Sequence, residues 1–180
     1  MTKIISEKAL KEFKIVDKLK VDFLDGTETD LPVSRPKFRL WNGKRVFDYG
    51  GKPLLDYKGK ACFAELLITN LLIDNGLDAV WIETYGGSHY LRSMPNSWNL
   101  QSEHISIPQD KEDLLKKIWK QAKTTACFDV LAWDNNNIIF LEAKHFKKDK
   151  LTKPQLKFIR GALDCGISPD NFLIVEWEFE

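Results

Sequence analysis

The clearest hydrophobic pattern in the chain is a pair of apolar runs on either side of a polar turn. The runs cover residues 128–133 and 138–144, and the turn between them reads Asp134-Asn135-Asn136-Asn137. Two such runs around turn-forming residues predict a β-hairpin. A turn centred between Asn135 and Asn136 pairs Asp129 with Glu142 on one sheet face, whereas a three-residue turn would put them on opposite faces.

Apolar spacing elsewhere predicts further helices and strands. A capping-box pattern marks one helix start, because Thr152 is followed by Pro154 and by Gln155 at the third helical position. Before it, the pattern predicts a nearly all-apolar helix over 61–75 that stops at Gly76, a strand over 79–84 and a helix capped by Asp110. After it, the helix that starts at Thr152 is predicted to end at Cys165-Gly166, and a strand follows over 172–177.

The remaining segments give weaker patterns. Residues 2–13 have the spacing of a short amphipathic helix, and the alternation from 13 to 23 also allows a strand before a turn at Asp25-Gly26. An Asn-Gly pair within 38–47 predicts a second hairpin. Residues 85–108 resemble a loop, whose aromatic side chains beside Arg92 either stack on unpaired bases or anchor the loop to the core.

Composition narrows the class of protein. With 43% hydrophobic and 29% charged residues, the 180-residue chain is typical of one globular domain. Its formal net charge of +1 predicts no global attraction to nucleic acid, so any such binding depends on local clusters of basic residues. Three cysteines, isolated from one another beside apolar runs, argue against a disulfide scaffold or a zinc knuckle: Cys62, Cys127 and Cys165.

The sequence does not support several other classes of protein. The N-terminus lacks the apolar run of a signal peptide, and no stretch reaches the length of a membrane span. We therefore expect a cytoplasmic protein with no membrane partner. Neither a Gly-x-Ser-x-Gly elbow nor a His-Glu-x-x-His helix occurs, so serine hydrolase and zinc protease functions are unsupported.

The predicted hairpin gathers charged groups on one sheet face. Lys144 lies two residues after Glu142 and therefore shares its face, so two carboxylates and an ammonium group would meet. Two carboxylates at cross-strand distance repel each other unless a cation lies between them. A divalent metal ion would satisfy this arrangement, although an ordinary solvated hairpin edge would contain the same residue types.

Glu65 is the one carboxylate in the apolar helix that ends at Gly76. A buried, ionised carboxylate is costly unless it is paired or bound to metal. Glu65 is therefore a candidate site residue, unless it points to solvent at the margin of the helix.

A strongly basic segment follows Lys144. Lys147, Lys148 and Lys153 lie within residues 144–160, in an otherwise balanced chain. A basic cluster next to a sheet face that could bind a metal ion suits a polyanionic substrate. The alternative interpretation of the cluster is an ordinary lysine-rich, solvated surface.

The order of these features resembles a known group of proteins. A helical Glu65, a strand, Asp129, the triplet Glu142-Ala143-Lys144, a helix with Gln155 and a last strand follow one another. This order resembles the PD-(D/E)xK nuclease superfamily, and the triplet with the helix after it is similar to the virus-type replication-repair nuclease branch and, in outline, to Holliday-junction resolvases. Two departures are Phe128, which precedes Asp129 where the motif name has Pro, and a long insertion before the Asp129 strand.

The resemblance implies a restriction-endonuclease-like α/β fold, with a mixed sheet flanked by helices and an N-terminal extension. We expect one domain over 1–180, with its core at about 60–84 and 126–178, the extension at 1–59 and an insertion at 85–125.

The resemblance also implies roles for individual residues. Asp129, Glu142, the main-chain carbonyl of Ala143 and Glu65 would bind Mg²⁺ or Mn²⁺. Lys144 would act on the attacking water or the scissile phosphate, and Gln155 would orient the site. The remaining residues are expected to contact phosphates: Lys147, Lys148 and Lys153.

The expected activity is metal-dependent hydrolysis of phosphodiester bonds, with DNA as the expected partner; a homodimer is compatible with the sequence. Two other functions remain open. A non-catalytic nucleic-acid-binding or assembly subunit could use the same fold. A protein-interaction domain could use the aromatic residues of the 85–108 loop as its contact surface.

Overall fold

The computed structural model describes residues 10–135 and 137–180. It is an α/β structure built around a mixed eight-stranded sheet. The strands are β1 (Ile15–Asp22), β2 (Glu28–Ser34), β3 (Lys37–Phe38), β4 (Leu55–Tyr57), β5 (Lys60–Cys62), β6 (Asp78–Glu83), β7 (His89–Leu91), β8 (Val130–Trp133), β9 (Ile138–His145) and β10 (Phe172–Phe179). The helices are α1 (Ala64–Asp74), α2 (Gln109–Ala122) and α3 (Lys153–Asp164).

The main sheet has the order β1-β2-β10-β9-β8-β6-β7, and β3 pairs in addition with β10. Neighbouring strands are antiparallel except that β10 runs parallel to β2, β3 and β9. The β9–α3–β10 segment is therefore a crossover between parallel strands, whereas β8 and β9 form a hairpin. Strands β4 and β5 form a separate pair.

The hairpin register is the one predicted for a turn centred between residues 135 and 136. Val130 pairs with Leu141, and Trp133 pairs with Ile138 at the turn end. Asp129 and Glu142 are the next pair beyond Val130 and Leu141, so the three-residue turn is excluded. Asn136 itself lies outside the described residues.

Helices cover both faces of the sheet. The apolar side of α1 packs on one face, with Trp81 and Leu141 among the buried sheet residues. Helices α2 and α3 pack together on the other face, where Ile118 and Phe158 meet Phe140. Because side chains alternate along β9, Leu141 and Phe140 lie on opposite faces.

The predicted helix ends agree with the structure, with two exceptions. The helix predicted over 61–75 begins only at Ala64, because residues 60–62 pair with β4 as the strand β5. Gly76 follows α1 with a φ of 88°, and Thr152 and Gln155 form a full capping box at the start of α3. The prediction that Asp110 caps the second helix is wrong. Pro108 occupies the N-cap of α2 without a side-chain cap, and Asp110 lies in the first turn, paired with Lys111.

Two predictions for irregular segments are also corrected. The hairpin over 38–47 does not form, because Phe38 pairs with β10 and Leu40 bridges to Leu55. Residues 85–108 are not all loop, because β7 adds to the sheet edge beside β6.

Three strands of the N-terminal extension, β1, β2 and β3, belong to the main sheet. The alternating segment 13–23 is the strand β1, which joins β2 through the turn at Gly26, where φ is 80°. Strand β2 then pairs with β10. The helix predicted over 2–13 falls mostly outside the described residues.

Two smaller expectations concern cysteines and membranes. All three cysteines are free thiols, and two of them, Cys62 and Cys127, are buried. In the part of the chain that the structure describes, no helix is both long and apolar enough to cross a bilayer.

Candidate active site

The hairpin brings the backbone and side chains of Asp129 and Glu142 into direct contact. The Asp129 backbone N–H donates to Glu142 Oε2 at 3.2 Å, and the Ala143 N–H donates to Asp129 Oδ2 at 2.9 Å. Asp129 lies just before β8, where its carbonyl oxygen still accepts from Ile82 of β6. The two carboxylates are therefore held at the end of the β6–β8–β9 ladder, as the register predicts.

Glu142 is the most deeply buried charged residue of this group, with 1% of its surface exposed. Lys144 Nζ lies 2.8 Å from Glu142 Oε1, and the side-chain amide of Gln155 donates to the same oxygen. Lys144 Nζ also donates to Gln155 Oε1 at 3.2 Å. Glu142, Lys144 and Gln155 thus form a closed triangle of polar contacts.

The N-terminal cap of α3 fixes one corner of this triangle. Gln155 Oε1 accepts from the Thr152 N–H at 2.9 Å, and Thr152 Oγ1 accepts from the Gln155 N–H. The same glutamine side chain therefore caps the helix and contacts the charged pair. This links the start of α3 to the geometry of Glu142 and Lys144.

Glu65 is buried on α1, which excludes the reading that it points to solvent. Its residue exposure is 9%, and its Oε1 lies 2.7 Å from Lys52 Nζ. Its Oε2 is buried and finds no hydrogen-bond partner among the described residues. A buried carboxylate oxygen without a partner is uncommon, since most buried polar atoms are hydrogen-bonded.

Lys52 is the site residue that the sequence did not reveal. Its ammonium group lies over the rings of Phe63 and Trp81, 4.8 and 5.5 Å from their centroids. The preceding residues 49–51 all have positive φ, and the Lys52 N–H donates to the Asp48 carbonyl at 2.8 Å. The glycine pair in this segment indicates a turn, but no local pattern shows which carboxylate the lysine meets.

The site spans both faces of the sheet. Glu142 and Lys144 share the face that α3 covers, whereas Glu65 belongs to α1 on the other face. Asp129 shares the face of Glu142 through the hairpin register, and the charges of both Glu142 and Glu65 act on it.

Burial and mutual repulsion shape the protonation of the carboxylates. Burial, followed by the charges of Glu142 and Glu65, raises the pKa of Asp129 well above its ordinary value. Burial also raises the pKa of Glu142, while the adjacent Lys144 opposes that rise. Burial lowers the pKa of Lys52, but the charges of Glu65, Asp129 and Glu83 outweigh it and leave that pKa raised.

Within residues 10–135 and 137–180, no three His, Cys, Asp or Glu side chains are arranged as a ready group of metal ligands. The two glutamates are each paired with a lysine instead, Glu65 with Lys52 and Glu142 with Lys144. The donor set nevertheless fits a hard divalent cation. It consists of carboxylate oxygens, and one of them, the buried Glu65 Oε2, has no hydrogen-bond partner among the described residues.

The basic residues predicted to contact phosphates are exposed beside the site. Lys147 and Lys148 follow β9 directly, and Lys153 begins α3. None of the three takes part in an ion pair with the described residues. Lys147 has a φ of 61° and places Nζ 5.1 Å from the centroid of Phe146. These ammonium groups are free to meet an anion.

Arg92, which lies beside the aromatic residues of the 85–108 segment in the sequence, contacts the start of β6. Its guanidinium donates to the carbonyl of Ala79 at 2.8 Å and contacts Asp78. Those residues begin β6, at the end of that strand away from Glu83.

Comparison with known proteins identified no similar protein. No family model matches the chain, and neither the curated proteins nor the solved structures contain a match to it.

Proposed function

We propose that this protein is a metal-dependent nuclease that hydrolyses phosphodiester bonds in nucleic acid, with DNA as the expected substrate. The observation that carries the proposal is the contact between Asp129, Glu142, Lys144 and Gln155 at one end of the sheet. Two carboxylates, an ammonium group and an orienting amide beside exposed lysines suit cleavage of a polyanion.

The chain order supports a restriction-endonuclease-like arrangement. Helix α1 with Glu65 precedes β6, β8 and β9, and α3 with Gln155 precedes β10. Along the sheet these strands follow the order β6-β8-β9-β10, with only the last pair parallel. The insertion between β6 and β8 contributes β7 at the sheet edge and α2 on the α3 face, so it leaves the order of the central strands intact.

Asp129, Glu142 and Glu65, with the carbonyl of Ala143, would hold Mg²⁺ or Mn²⁺. Such an ion supplies a water nucleophile of lowered pKa and neutralises charge on the phosphoryl oxygens. Glu65 Oε2, which has no hydrogen-bond partner among the described residues, is the oxygen of Glu65 that would contact the ion. Lys52 keeps Glu65 neutralised on its other oxygen.

Lys144 would act on the reacting atoms. Its ammonium group is largely buried, and Glu142 and Gln155 fix its position. A preorganised cation stabilises the charge that develops on the scissile phosphate, because it needs no reorganisation during the reaction. Gln155 serves as a positioning residue for both Lys144 and Glu142.

A nuclease assay tests this function. The protein is incubated with supercoiled, linear, single-stranded and branched DNA, and with RNA, in Mg²⁺, Mn²⁺ or EDTA. We expect cleavage that EDTA abolishes and that the Glu142→Gln variant lacks. Salt-dependent binding without cleavage would favour the non-catalytic nucleic-acid-binding subunit instead.

A further inference from the structure

Four aromatic rings form a surface cluster near the carboxylates. This aromatic patch consists of Phe47, Tyr49, Tyr85 and Trp98. Trp98 is its centre, with ring centroids 4.8 Å from Tyr49, 5.8 Å from Phe47 and 6.3 Å from Tyr85. The rings come from two separate segments, one before α1 and one between β6 and α2.

The outer rings of the patch face solvent. Tyr85 is 73% exposed and Trp98 is 62% exposed, although both are large aromatic residues. A ring that anchored the loop to the core would be covered. Exposed clusters of large aromatic side chains mark binding surfaces more often than single exposed apolar residues do.

Tyr49, the inner ring of the patch, contacts a residue that also contacts Lys52 of the site. Tyr49 stacks on Phe63 with centroids 5.3 Å apart and planes inclined by 15°, and Lys52 lies over the same Phe63 ring. The Tyr49 hydroxyl is buried and has no hydrogen-bond partner among the described residues. Burial and the charges of Glu83 and Glu65 raise the pKa of Tyr49 to about 12.

The charges beside the patch favour base faces over phosphates. Glu83 accepts from the Tyr85 N–H at 2.9 Å, and Asp48 caps the turn that contains Tyr49. Two cations beside the patch are already paired, Lys52 with Glu65 at 2.7 Å and the exposed Arg45 with Asp48 at 3.4 Å. Carboxylates repel phosphates, whereas a π face stacks on any base without a charge.

We propose that the aromatic patch stacks the unpaired bases of a nucleic acid whose backbone enters the adjacent carboxylate site. This inference rests on the proposed nuclease function and names its substrate class. Apart from the terminal pairs at its two ends, a duplex exposes no π face, because each paired base is covered by its neighbours, whereas every unpaired base can expose one. The substrate therefore contains a single-stranded segment, as a tail, a flap or a free strand.

Matched substitutions test the role of the rings. Tyr85→Leu and Trp98→Leu keep an apolar side chain but remove the ring, whereas Tyr85→Phe and Trp98→Phe keep the ring. Leu24→Ala is a control at an exposed apolar residue, which is 98% exposed in the β1–β2 turn at the opposite edge of the sheet. Tyr85 is exposed enough that its replacement leaves the fold intact, which a thermal melt verifies.

Binding is measured by fluorescence anisotropy in Ca²⁺, with a labelled single strand, the matching blunt duplex and a duplex with a single-stranded tail. We expect each leucine variant to bind the single strand and the tailed duplex about five-fold or more weakly, the magnitude of losing one stacked base. Affinity for the blunt duplex should not change. Both phenylalanine variants and Leu24→Ala should bind as the parent protein does.

Two contrary results are distinguishable. If the leucine variants bind all three probes as the parent does while metal-dependent cleavage persists, the patch serves another partner and only this inference fails. An equal loss on duplex and single strand would also overturn it. If the parent protein binds none of the probes and cuts nothing, the proposed function fails together with the inference.

Discussion

At the scale of single residues, the site is held together by two internal ammonium groups. Lys52 and Lys144 each pair with one buried glutamate, at 2.7 and 2.8 Å. A cation next to a buried carboxylate offsets the cost of burying it, and removal of one partner leaves an uncompensated charge. The two lysines therefore stabilise the site when no metal is bound, and Lys52 would compete with the proposed metal ion for Glu65.

The first prediction concerns Lys52→Met. Loss of the ammonium group leaves Glu65 unneutralised, so the metal-free protein should lose stability, toward the roughly 3–5 kcal/mol typical of a broken buried pair. Mn²⁺ should bind more tightly, because the competing cation is gone. Thermal melts and calorimetric titration with Mn²⁺ measure the two effects.

Lys58→Met is the matched control. Lys58 pairs with Asp74 on the same helix at the same 2.7 Å, but its side chain is 65% exposed. An exposed pair adds little to stability, so neither stability nor Mn²⁺ affinity should change noticeably. Weaker Mn²⁺ binding by Lys52→Met would contradict the competition between Lys52 and metal.

The second prediction concerns the pH dependence of stability. Because the folded-state pKa of Asp129 is raised, folding favours its protonated form, and its contribution is greatest below the unfolded value of 3.8. That contribution is lost as pH rises from about 4 through the raised pKa. Asp129→Asn removes this dependence, so the metal-free variant should gain stability relative to the parent as pH rises. Urea unfolding at a series of pH values measures the difference, and a constant difference would show that Asp129 has an ordinary pKa.

At the scale of elements, the start of α3 connects helix capping to the site. Gln155 completes the capping box with Thr152 and also contacts Lys144 and Glu142. A change in the helix cap therefore affects the Glu142–Lys144 pair through the Gln155 side chain. The β8–β9 hairpin fixes the other side of the same contact through its register.

The third prediction concerns Thr152→Ala. Loss of the cap should cost about 1 kcal/mol of stability. It should also lower kcat, because Gln155 Oε1 loses the hydrogen bond that Thr152 Oγ1 donates to it at 3.1 Å. Ser168→Ala is the control, since Ser168 forms a capping box on a one-turn 3-10 helix before β10. That control should lose stability without a change in kcat. Equal kcat values for the two variants would show that the cap of α3 does not affect the catalytic geometry.

The elements differ in how far the sequence predicts them. The hairpin register follows from a period of two and a polar turn, and the capping box follows from Thr152 and Gln155, so both are local. The hairpin expected over 38–47 is wrong because Phe38 finds its partner in β10, far along the chain. The Lys52–Glu65 pair also depends on tertiary packing, which the sequence pattern does not contain.

At the scale of the whole molecule, charge is distributed unevenly around the site. The net charge of the chain is only +1, so attraction to a polyanion depends on the exposed lysines that follow β9. The carboxylates lie at the sheet end beside these lysines. We therefore propose that phosphate contacts and bond cleavage belong to different residues.

The fourth prediction separates those residues. Lys147→Ala and Lys148→Ala should weaken DNA binding and make it less dependent on salt, because each removes one phosphate contact. Turnover at saturating substrate should be largely preserved. Anisotropy titrations over a range of salt concentrations give the slope, and an unchanged slope would exclude both lysines from the phosphate contacts.

The most direct test of the central claim is the cleavage rate of Lys144→Ala at saturating DNA in Mg²⁺, compared with the parent protein. If Lys144 stabilises charge that develops in the reaction, kcat should fall by about 10²-fold or more, as for other lost electrostatic stabilisers. Affinity for DNA in Ca²⁺ should change little. A variant that cuts as fast as the parent would contradict the nuclease mechanism assigned to this site.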